Sequence, residues 1–564
     1  MSKNSKLLPA ILMAVPILLW VFVILYYSVN LPWYDDFDPF PDFLHKWITD
    51  TDFSDRLNLL FQPNNEHRMV VGKLITLGYY WLTGHLNFTF LHMIGACFTL
   101  GVLYLFWRSF RRSGLPWYYF LPVPFLLFQM QFHLVFLWAI TGLQHQPAIF
   151  FVCISMYLLS EKRLVWAITA AVCATYAMSS GLFVWPAGFV VLLFRARYKE
   201  LIFWCVAALF SIGFYLYGLS AQGNESSIDF LLKNPHLSVL GFFAHLGGLF
   251  DFFPEKSIVI RSALPVLMGF AVMIWIAIWL WKQLWSWFGL GFGWPSKEQQ
   301  LAVKPSLQPF STFLLGILTF LLVNALIICL LRPRFGFFVM IVSNYKMYPA
   351  LFLIVAYLTF IGSASREIVK MRGFQLVTLV SIFIWGISIF NYLPAITERH
   401  KYLTVNGYNQ EHNGFGLGHV PYSKSAAYVD SLMKDMVRRG VYTYPEKGNA
   451  LAQTVTGLTQ NLNPDFQITV DEKDSLFYVN DPEIDKSFSR DHAEFAFVRN
   501  DKHLYFFKME PHKYSGRNIF RQYDKGADAF IPHASLLPGT YDLGVIRTQR
   551  GTASGGILRK ITIP

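Results

Sequence analysis

Hydrophobic positions fall into long runs along the first two thirds of the chain, separated by short polar stretches. Residues 7–29 and 311–331, for example, contain no charged side chain. A helix of about 20 apolar residues is long enough to cross a hydrocarbon core of about 30 Å. The pattern therefore predicts a polytopic α-helical membrane domain with about eleven transmembrane helices, at residues 7–29, 88–107, 116–130, 146–160, 164–180, 182–194, 201–219, 260–281, 309–331, 347–364 and 374–393.

Three apolar stretches need a separate interpretation. The first, residues 7–29, exceeds a signal-peptide core and no small-residue cleavage pattern follows it, so we expect a signal-anchor span. Residues 69–83 predict a helix at the outer interface with Lys73 towards water. Residues 236–253 contain His245, Asp251 and several glycines, which favours an interfacial or re-entrant segment.

Composition and charge support this assignment and orient the chain. Of the 564 residues 54% are hydrophobic and only 15% are charged, against about 25% in soluble proteins. The N-terminal tail and predicted inner connections carry 16 Lys and Arg against 4 acidic residues, whereas the outer loops carry 10 against 12. The positive-inside rule then places the N-terminus in the cytoplasm and the C-terminal segment outside a cell (inner or cytoplasmic) membrane, periplasmic or extracellular. The net charge of +12 thus indicates topology, and we expect no nucleic-acid partner.

The pattern changes near residue 394, where charges recur every few positions. We predict three regions: a transmembrane domain at 1–393, an exported linker and helical region at 394–465, and an exported β-sandwich domain at 466–564. One amphipathic helix is expected at 426–439, ended by Gly440. Short alternating strands are expected at 467–470, 475–479, 494–498, 504–508, 528–531, 541–547 and 556–563. All five cysteines fall in predicted spans, so the exported region folds without disulfides; it could hold a glycan or act as a packing module.

Acidic residues follow the first span directly. Asp35, Asp36 and Asp38 are placed to act as a carboxylate base or as ligands of a divalent cation, although a solvated loop that ends the span has the same pattern. Glu66, His67 and Arg68 come later in this predicted loop. They fit an ion-paired helix start. His67 together with the acidic triplet could instead bind a metal, but no two-histidine spacing supports this.

Basic and hydrogen-bonding side chains occupy the later outer loops. Arg332, Arg334 and Lys346 lie between the ninth and tenth predicted spans. Cations there can bind a lipid phosphate, or the two arginines can be span-end residues that extend to the interface. Residues 138–146 add Trp138, Gln144 and His145, a combination that suits a sugar although interfacial Trp is common.

This order of features resembles the GT-C superfamily of integral-membrane glycosyltransferases. The resemblance covers the topology of residues 1–393 and rests on Asp35-Asp36, Glu66-His67-Arg68 and the basic loop 332–346. The loop reads Ser343-Asn344-Tyr345-Lys346 where the commoner family pattern has serine, arginine and tyrosine.

The resemblance implies transfer of a sugar from a polyprenyl-phosphate carrier to a glycan, lipid or protein acceptor among membrane lipids, at the outer face. It implies a catalytic aspartate, Asp35 or Asp36, and donor-phosphate contacts from Arg332, Arg334, Lys346 and Arg68. Substrate contacts are expected from Asp38, Glu66, His67, Trp138, Gln144 and His145. No metal ligand and no definite cofactor is assigned, and a divalent cation such as Mg²⁺ or Mn²⁺ is compatible with the acidic residues.

Other functions are compatible with parts of the pattern. A transporter or flippase for a lipid-linked glycan should show repeated halves or ionisable residues at mid-bilayer depth, and Asn324 is the clearest polar residue within a span. A polymerase or ligase of lipid-linked glycans is a second alternative. A signalling or structural membrane protein whose exported domain binds a partner is a third.

Overall fold

A computed structural model describes residues 3–49, 52–65, 67–219, 227–288, 308–458, 467–516, 518, 521–549 and 552–564, so the predicted site residue Glu66 lies outside the described residues. In this part of the chain, eight helices are long and apolar enough to cross a membrane, or nine if a pair bent by 41° at residues 117–137 forms one span. The prediction of a largely helical chain with several candidate membrane spans, followed by a β-sheet region, is confirmed.

The described helices are α1 Lys3–Tyr27, α2 Phe43–Thr49, α3 Phe53–Phe61, α4 Val70–Thr83, α5 Phe88–Arg112, α6 Pro122–Leu127, α7 His133–Leu137, α8 Ala139–Ser160, α9 Leu164–Ala177, α10 Val184–Phe194, α11 Tyr198–Leu216, α12 Ser227–Lys233, α13 Pro235–Leu246, α14 Ile258–Phe288, α15 Gln308–Leu331, α16 Met347–Ser363, α17 Glu367–Asn413, α18 Lys424–Arg438 and α19 Glu446–Thr456. Short 3-10 turns connect several of them.

The chain divides into two compact units. The helical unit comprises Met1–Tyr26, Asp52–Ile75 and Leu91–Tyr392, and the mixed unit comprises Tyr27–Thr51, Thr76–Phe90 and Leu393–Pro564. The acidic loop after the first span therefore belongs to the same unit as the C-terminal segment.

Two predicted spans, at 164–180 and 182–194, are short helices, and the last predicted span lies within a much longer helix. Residues 164–194 form α9 and α10, of 14 and 11 residues, because the backbone is extended at Met178 and then forms a 3-10 turn. Both fall short of a full span by length, so the count of eleven stays a prediction. The helix α17 continues to Asn413, past the predicted end of the last span, and its later part still buries Ile396, Leu403 and Val405.

Lys73 on α4 does not face water, so that prediction is wrong. Its side chain is buried, and its Nζ donates to the backbone carbonyls of Leu59 at 2.8 Å and Gln62 at 2.9 Å. These carbonyls lie at and just beyond the end of α3, where a helix leaves acceptors without intrahelical partners. The lysine therefore ties α4 to the end of α3.

The mixed unit contains the predicted amphipathic helix. The helix α18 is capped by Ser423, whose Oγ accepts from the N–H of Ala426 at 3.2 Å, and it buries Val429, Leu432 and Met436. Gly440 follows with a φ of 71°, the left-handed conformation that ends many helices. This part of the prediction is confirmed, whereas α19 was not predicted.

Eight strands follow: β1 Thr469–Lys473, β2 Leu476–Asp481, β3 Ala493–Arg499, β4 Leu504–Lys508, β5 Glu510–Lys513, β6 Tyr523–Pro532, β7 Gly539–Gln549 and β8 Thr552–Ile563. They form two four-stranded sheets, in the orders β1-β2-β6-β5 and β4-β3-β7-β8, and every pair is antiparallel. One buried cluster includes Phe477 and Ile531 from the first sheet and Leu543 and Ile561 from the second. The two sheets thus share a hydrophobic core.

A charged contact also joins the sheets. Arg547 on β7 pairs with Asp481 on β2 and, through Nε at 2.5 Å, with Oε1 of Glu494 on β3. Glu494 is buried, and its burial raises the pKa of the carboxyl to about 8 despite the attraction of Arg547. Glu494 therefore holds a proton at pH values where an exposed glutamate does not.

Candidate functional site

The two adjacent aspartates after the first span have different environments. Residues 34–36 form a 3-10 turn, and the backbone N–H of Trp33 donates to Oδ2 of Asp36 at 2.9 Å. Asp36 is only 1% exposed, whereas Asp35 is exposed. Asp36 thus has a structural role in closing the turn, and Asp35 is the carboxylate that a solute can reach.

The turn adopts a backbone conformation that costs free energy. Tyr34 has a φ of 49°, which is uncommon for a residue with a side chain. Its N–H donates to the carbonyl of Leu417 at 2.9 Å, so the C-terminal segment of the same unit holds the turn in place. Left-handed residues of this kind persist only where surrounding contacts hold them, and they cluster at functional sites.

A glycine-rich segment at residues 414–418 makes this contact possible. Gly414, Gly416 and Gly418 all have positive φ values. A Cβ on Gly418 would lie 2.7 Å from Cγ of Tyr34, too close for any other residue. The turn that carries Asp35 therefore packs directly on backbone that only glycine can form.

His419 follows this segment and supplies the electrostatic partner of the carboxylates. Partial desolvation raises the pKa of Asp35, and attraction to His419 opposes the rise. Desolvation and repulsion by Asp42 and Asp35 likewise raise the pKa of Asp38. The pKa of His419 is itself lowered by burial against the attraction of both carboxylates. A carboxylate with a raised pKa is the better proton acceptor once ionised.

The neighbouring acidic residue is already paired. Asp42 accepts from Nζ of Lys46 at 2.6 Å and from the hydroxyl of Tyr428 on α18. Trp33, on the other side, lies under the guanidinium of Arg399, with 3.8 Å between the guanidinium carbon and the ring centroid. Along the chain, the two exposed carboxylates of the loop, Asp35 and Asp38, thus lie between a tryptophan stacked on a cation and an aspartate that is already paired.

The predicted phosphate ligand Lys346 has a different set of partners in the helical unit. Its side chain is buried, and Nζ donates to Oε1 of Gln131 at 3.1 Å, Oδ2 of Asp251 at 2.8 Å and the hydroxyl of Tyr392 at 2.6 Å. These three bonds use all three donors of the ammonium. Lys346 thus holds together segments that are distant in sequence.

Asp251 is the shared acceptor of this cluster. Arg261 donates to it from Nε at 3.2 Å and from Nη2 at 2.6 Å. Burial would raise the pKa of Asp251, but the attraction of Lys346 and the hydrogen bonds from Arg261 outweigh it and hold the pKa below its ordinary value. A buried carboxylate of this kind stays ionised because two cations compensate it.

Arg68 is also committed to the protein itself. Its guanidinium donates to the backbone carbonyls of Phe61, Tyr215 and Tyr217, the one to Tyr215 at 2.8 Å from Nε. The residue is 7% exposed. We therefore do not retain Arg68 among the phosphate ligands proposed below. The side chain of His67, next to it, is partly exposed.

Arg332 and Arg334 stack on one aromatic ring. Their guanidinium carbons lie 5.7 Å and 4.6 Å from the ring centroid of Phe335. Both side chains are partly exposed, unlike Lys346. These two arginines are the predicted phosphate ligands of the helical unit that a ligand can still reach.

The predicted sugar-contacting residues near the start of α8 are mostly buried. Gln144 contacts the sulfur of Met69, with 3.2 Å between Nε2 and Sδ. Nδ1 of His145 lies 2.8 Å from the hydroxyl of Tyr348, which in turn lies 3.0 Å from Oγ of Ser180. Trp138 precedes α8 and is partly exposed. The structure thus brings His145 into a hydrogen-bonded chain that the sequence did not predict.

Sequence reasoning missed two further contributors to the polar sites. His419 could have been found from the run Gly414-Phe415-Gly416-Leu417-Gly418-His419, which is unusual in a helical linker. Arg261 gave no signal, because it lies at the boundary of a predicted span. Within the described ranges, no group of three or more His, Cys, Asp or Glu residues is arranged to hold a metal ion.

Comparison with known proteins found no relative of the chain, since no family model, curated protein or solved structure matches it.

Proposed function

We propose that the protein is an inverting membrane glycosyltransferase, of the kind found in the GT-C superfamily, that uses a polyprenyl-phosphate sugar as donor. The observation that carries the proposal is the exposed carboxylate of Asp35 on a turn whose conformation is held by Tyr34 and Leu417. A reactive group on a backbone held away from its preferred conformation is a common property of active sites. The raised pKa of Asp35 suits a base.

The reaction requires one base and no acid. Asp35 removes the proton from an acceptor hydroxyl as that oxygen attacks the anomeric carbon. The bond from this carbon to the phosphate oxygen breaks, and its electron pair leaves with the polyprenyl phosphate. Glycoside hydrolases protonate a poor leaving group, whereas a phosphate leaves as an anion, so a single carboxylate base is sufficient.

The departing phosphate needs cations. In this proposal Arg332 and Arg334 supply them, because both are partly exposed and arginine binds phosphate with two parallel hydrogen bonds. Lys346 positions the polypeptide through Asp251 and Tyr392. Asp38 and His419 adjust the charge around Asp35.

The topology proposed with this function follows the charge distribution. The chain would cross the membrane eleven times, with short or broken spans at 116–130, 164–180 and 182–194, and the acidic loop and the C-terminal segment would lie on the extracytoplasmic side. The two four-stranded sheets would form a β-sandwich. Broken helices are tolerated in a bilayer where they line a cavity, which a lipid carrier requires.

A transporter or flippase is the second candidate, and one observation favours it. Asp251, Lys346 and Arg261 form a buried ionic cluster among apolar helices, and such clusters mark ion or substrate paths in many membrane proteins. A transporter would move the lipid-linked sugar without breaking the bond to phosphate.

One assay separates the two candidates. The purified full-length protein, in lipid nanodiscs, is incubated with a panel of polyprenyl-phosphate sugars and glycan acceptors while the release of polyprenyl phosphate is measured. We expect release that depends on the acceptor, with inverted configuration in the product by NMR. Transbilayer movement of the donor in vesicles without any release would contradict the proposal, as would a product with retained configuration.

A further inference from the structure

A cavity in the mixed unit lies between α2 and the C-terminal half of α18. Its volume is about 610 Å³, within the range of about 300–1,000 Å³ typical of small-molecule sites. The titratable residues that line it are His45 on α2 and, on α18 and the residue that follows it, Lys434, Asp435, Arg438 and Arg439. We call this feature the α18 cavity.

One carboxylate serves both arginines of the cavity. Oδ2 of Asp435 accepts from Nε of Arg439 at 2.6 Å and from Nε2 of His45 at 2.8 Å, and Oδ1 accepts from Nη2 of Arg438. The hydrogen bonds from Arg439, His45 and Arg438 hold the pKa of Asp435 well below its ordinary value, so this carboxylate is ionised at neutral pH. Two guanidinium charges therefore meet one negative charge.

The other charges around the cavity are matched. Nζ of Lys434 lies 2.7 Å from Oδ2 of Asp430. The hydroxyl of Tyr428, which also lines the cavity, donates to Asp42, and Asp42 pairs with Lys46 at 2.6 Å. Among the lining residues and their ion-pair partners, one positive charge is therefore left over, and it belongs to the two arginines.

Both arginines keep hydrogen-bond donors that a ligand can reach. The side chain of Arg438 is 79% exposed and that of Arg439 is 42% exposed. A guanidinium has five N–H groups, and the bond to Asp435 uses one of them in each arginine. The remaining N–H groups have no partner among the described residues. Guanidinium groups bind phosphate oxygens with two parallel hydrogen bonds.

We propose that the α18 cavity binds a phosphodiester with hydroxylated substituents, such as glycerol or a sugar, whose two free phosphate oxygens accept from Arg438 and Arg439. The single charge of a diester matches the single excess charge of the arginines, whereas a phosphate monoester carries nearly two. Thr49 on α2 and Ser431 on α18 also line the cavity, and a diester has two substituents that can meet their hydroxyls. A carboxylate has one substituent. This inference does not depend on the sugar transfer proposed above.

The test is isothermal titration calorimetry of the full-length protein in phosphatidylcholine nanodiscs, at low ionic strength because salt screens exposed charges. Three probes are compared: glycerophosphoglycerol, glycerate and inorganic phosphate. We expect the diester to bind at least about tenfold more tightly than either of the others, the size of one charge-assisted hydrogen bond. Equal affinity for inorganic phosphate would indicate an adventitious ion only. That result, equal affinity for glycerate or no binding of the diester would overturn the proposal.

A second arm identifies the source of the phosphodiester, which can be a lipid headgroup or a soluble molecule. The titration is repeated in nanodiscs that contain phosphatidylglycerol, whose headgroup carries the same diester as the soluble probe. Loss of probe binding would support the proposal with a lipid headgroup as the ligand. Unchanged probe binding would support it with a soluble or polymeric diester as the ligand.

Variants locate the site. Arg438→Gln and Arg439→Gln should each weaken binding of glycerophosphoglycerol about tenfold. The matched control is Arg521→Gln in the same unit, because Arg521 pairs with Asp524 at 2.6 Å, is 53% exposed and does not line the cavity. All three side chains are exposed, so we expect each variant to fold. Unchanged affinity in the two cavity variants, or an equal loss in the control, would contradict the proposed site.

Discussion

Asp36 accepts a hydrogen bond from the backbone N–H of Trp33 at 2.9 Å, and this contact gives the two neighbouring aspartates different roles. The bond closes a 3-10 turn in which Asp36 is buried and Asp35 is exposed. The same turn places Tyr34 in the left-handed region against Gly418. The conformation of one short turn therefore decides which carboxylate can act on a substrate.

Gly418→Ala tests the packing under this turn. The new Cβ would lie 2.7 Å from Cγ of Tyr34, so the turn must shift and Asp35 with it. We expect the rate of sugar transfer to fall at least about tenfold, since small misplacements at an active site are costly. Transfer is measured per mole of folded protein.

Gly440→Ala is the matched control for Gly418→Ala. Gly440 also has a positive φ, of 71°, but no atom lies within 4 Å of the added Cβ. Only the strain of about 1–2 kcal/mol from a left-handed alanine should appear, as reduced stability with unchanged transfer. Equal activity of the two variants would contradict the proposed role of the Tyr34 contact.

His419→Gln should change the pH dependence of transfer. His419 lowers the pKa of Asp35 by attraction, so removing its charge raises that pKa further. The base is active only when ionised, so the acidic limb of the kcat profile moves to higher pH. His412→Gln, in which the lost imidazole contacts Asn449, is the control and should leave the limb in place. A shift of the His419 variant towards lower pH would be inconsistent with this account.

The buried pair of Lys346 and Asp251 should show strong energetic coupling. Lys346→Met leaves Asp251 with Arg261 as its one charged partner beside the Tyr392 hydroxyl, and we expect a loss of about 3 kcal/mol in the free energy of unfolding. Adding Asp251→Asn should then cost less than it does in the wild type, with a coupling of about 0.5–3 kcal/mol. The free energy of unfolding in mixed detergent micelles is measured for the wild type, the two single variants and the double variant.

The pair of Lys370 and Glu367 provides the reference for this cycle. The two lie 2.7 Å apart, with the Glu367 side chain 78% exposed. A double-mutant cycle there should give a coupling of about 0–1 kcal/mol. Similar values for the two cycles would mean that the Asp251 cluster does not hold the helical unit together.

Glu494 should make the stability of the β-sheet region fall with rising pH. Its pKa is raised by burial to about 8 in the folded protein, above the usual value of about 4.3 in an unfolded chain. The folded state thus binds an extra proton between these values, so the stabilising contribution is complete below the lower one and is lost as pH approaches 8.

The glutamine side chain of Glu494→Gln is neutral at every pH, so this variant should lack the fall in stability with rising pH that Glu494 causes. Thermal unfolding between pH 5 and pH 9 should show the wild type losing stability relative to the variant as pH rises. Glu510→Gln, at a side chain that is 56% exposed, serves as the control. Parallel profiles for the wild type and Glu494→Gln would show that Glu494 ionises normally in the folded protein.

The sequence predicted those features that depend on local patterns. Apolar runs located the long helices, and the spacing of Val429, Leu432 and Met436 located α18. The strand β5 was missed because it is short and contains Pro511, which weakens a strand signal. The prediction that Lys73 faces water was wrong because its partners are carbonyls at the end of another helix, which the pattern around Lys73 does not show.

The sequence could place charged residues in loops but could not pair them. Lys346 looked available for a phosphate until the structure placed Asp251 and Tyr392 around it, and these lie 95 and 46 residues away along the chain. Which of Asp35 and Asp36 is exposed depends on a 3-10 turn, and no pattern in the surrounding sequence predicts that turn. Contacts of this kind arise from tertiary structure.

The most direct test compares Asp35→Asn with Asp36→Asn in the release of polyprenyl phosphate from the preferred donor. Asp35→Asn removes the base and should lower the rate by about 10²–10⁴-fold. Asp36→Asn keeps an oxygen that can accept from the N–H of Trp33, so it should retain most of the activity. Full activity of Asp35→Asn, in a folded protein, would contradict the assignment of Asp35 as the base.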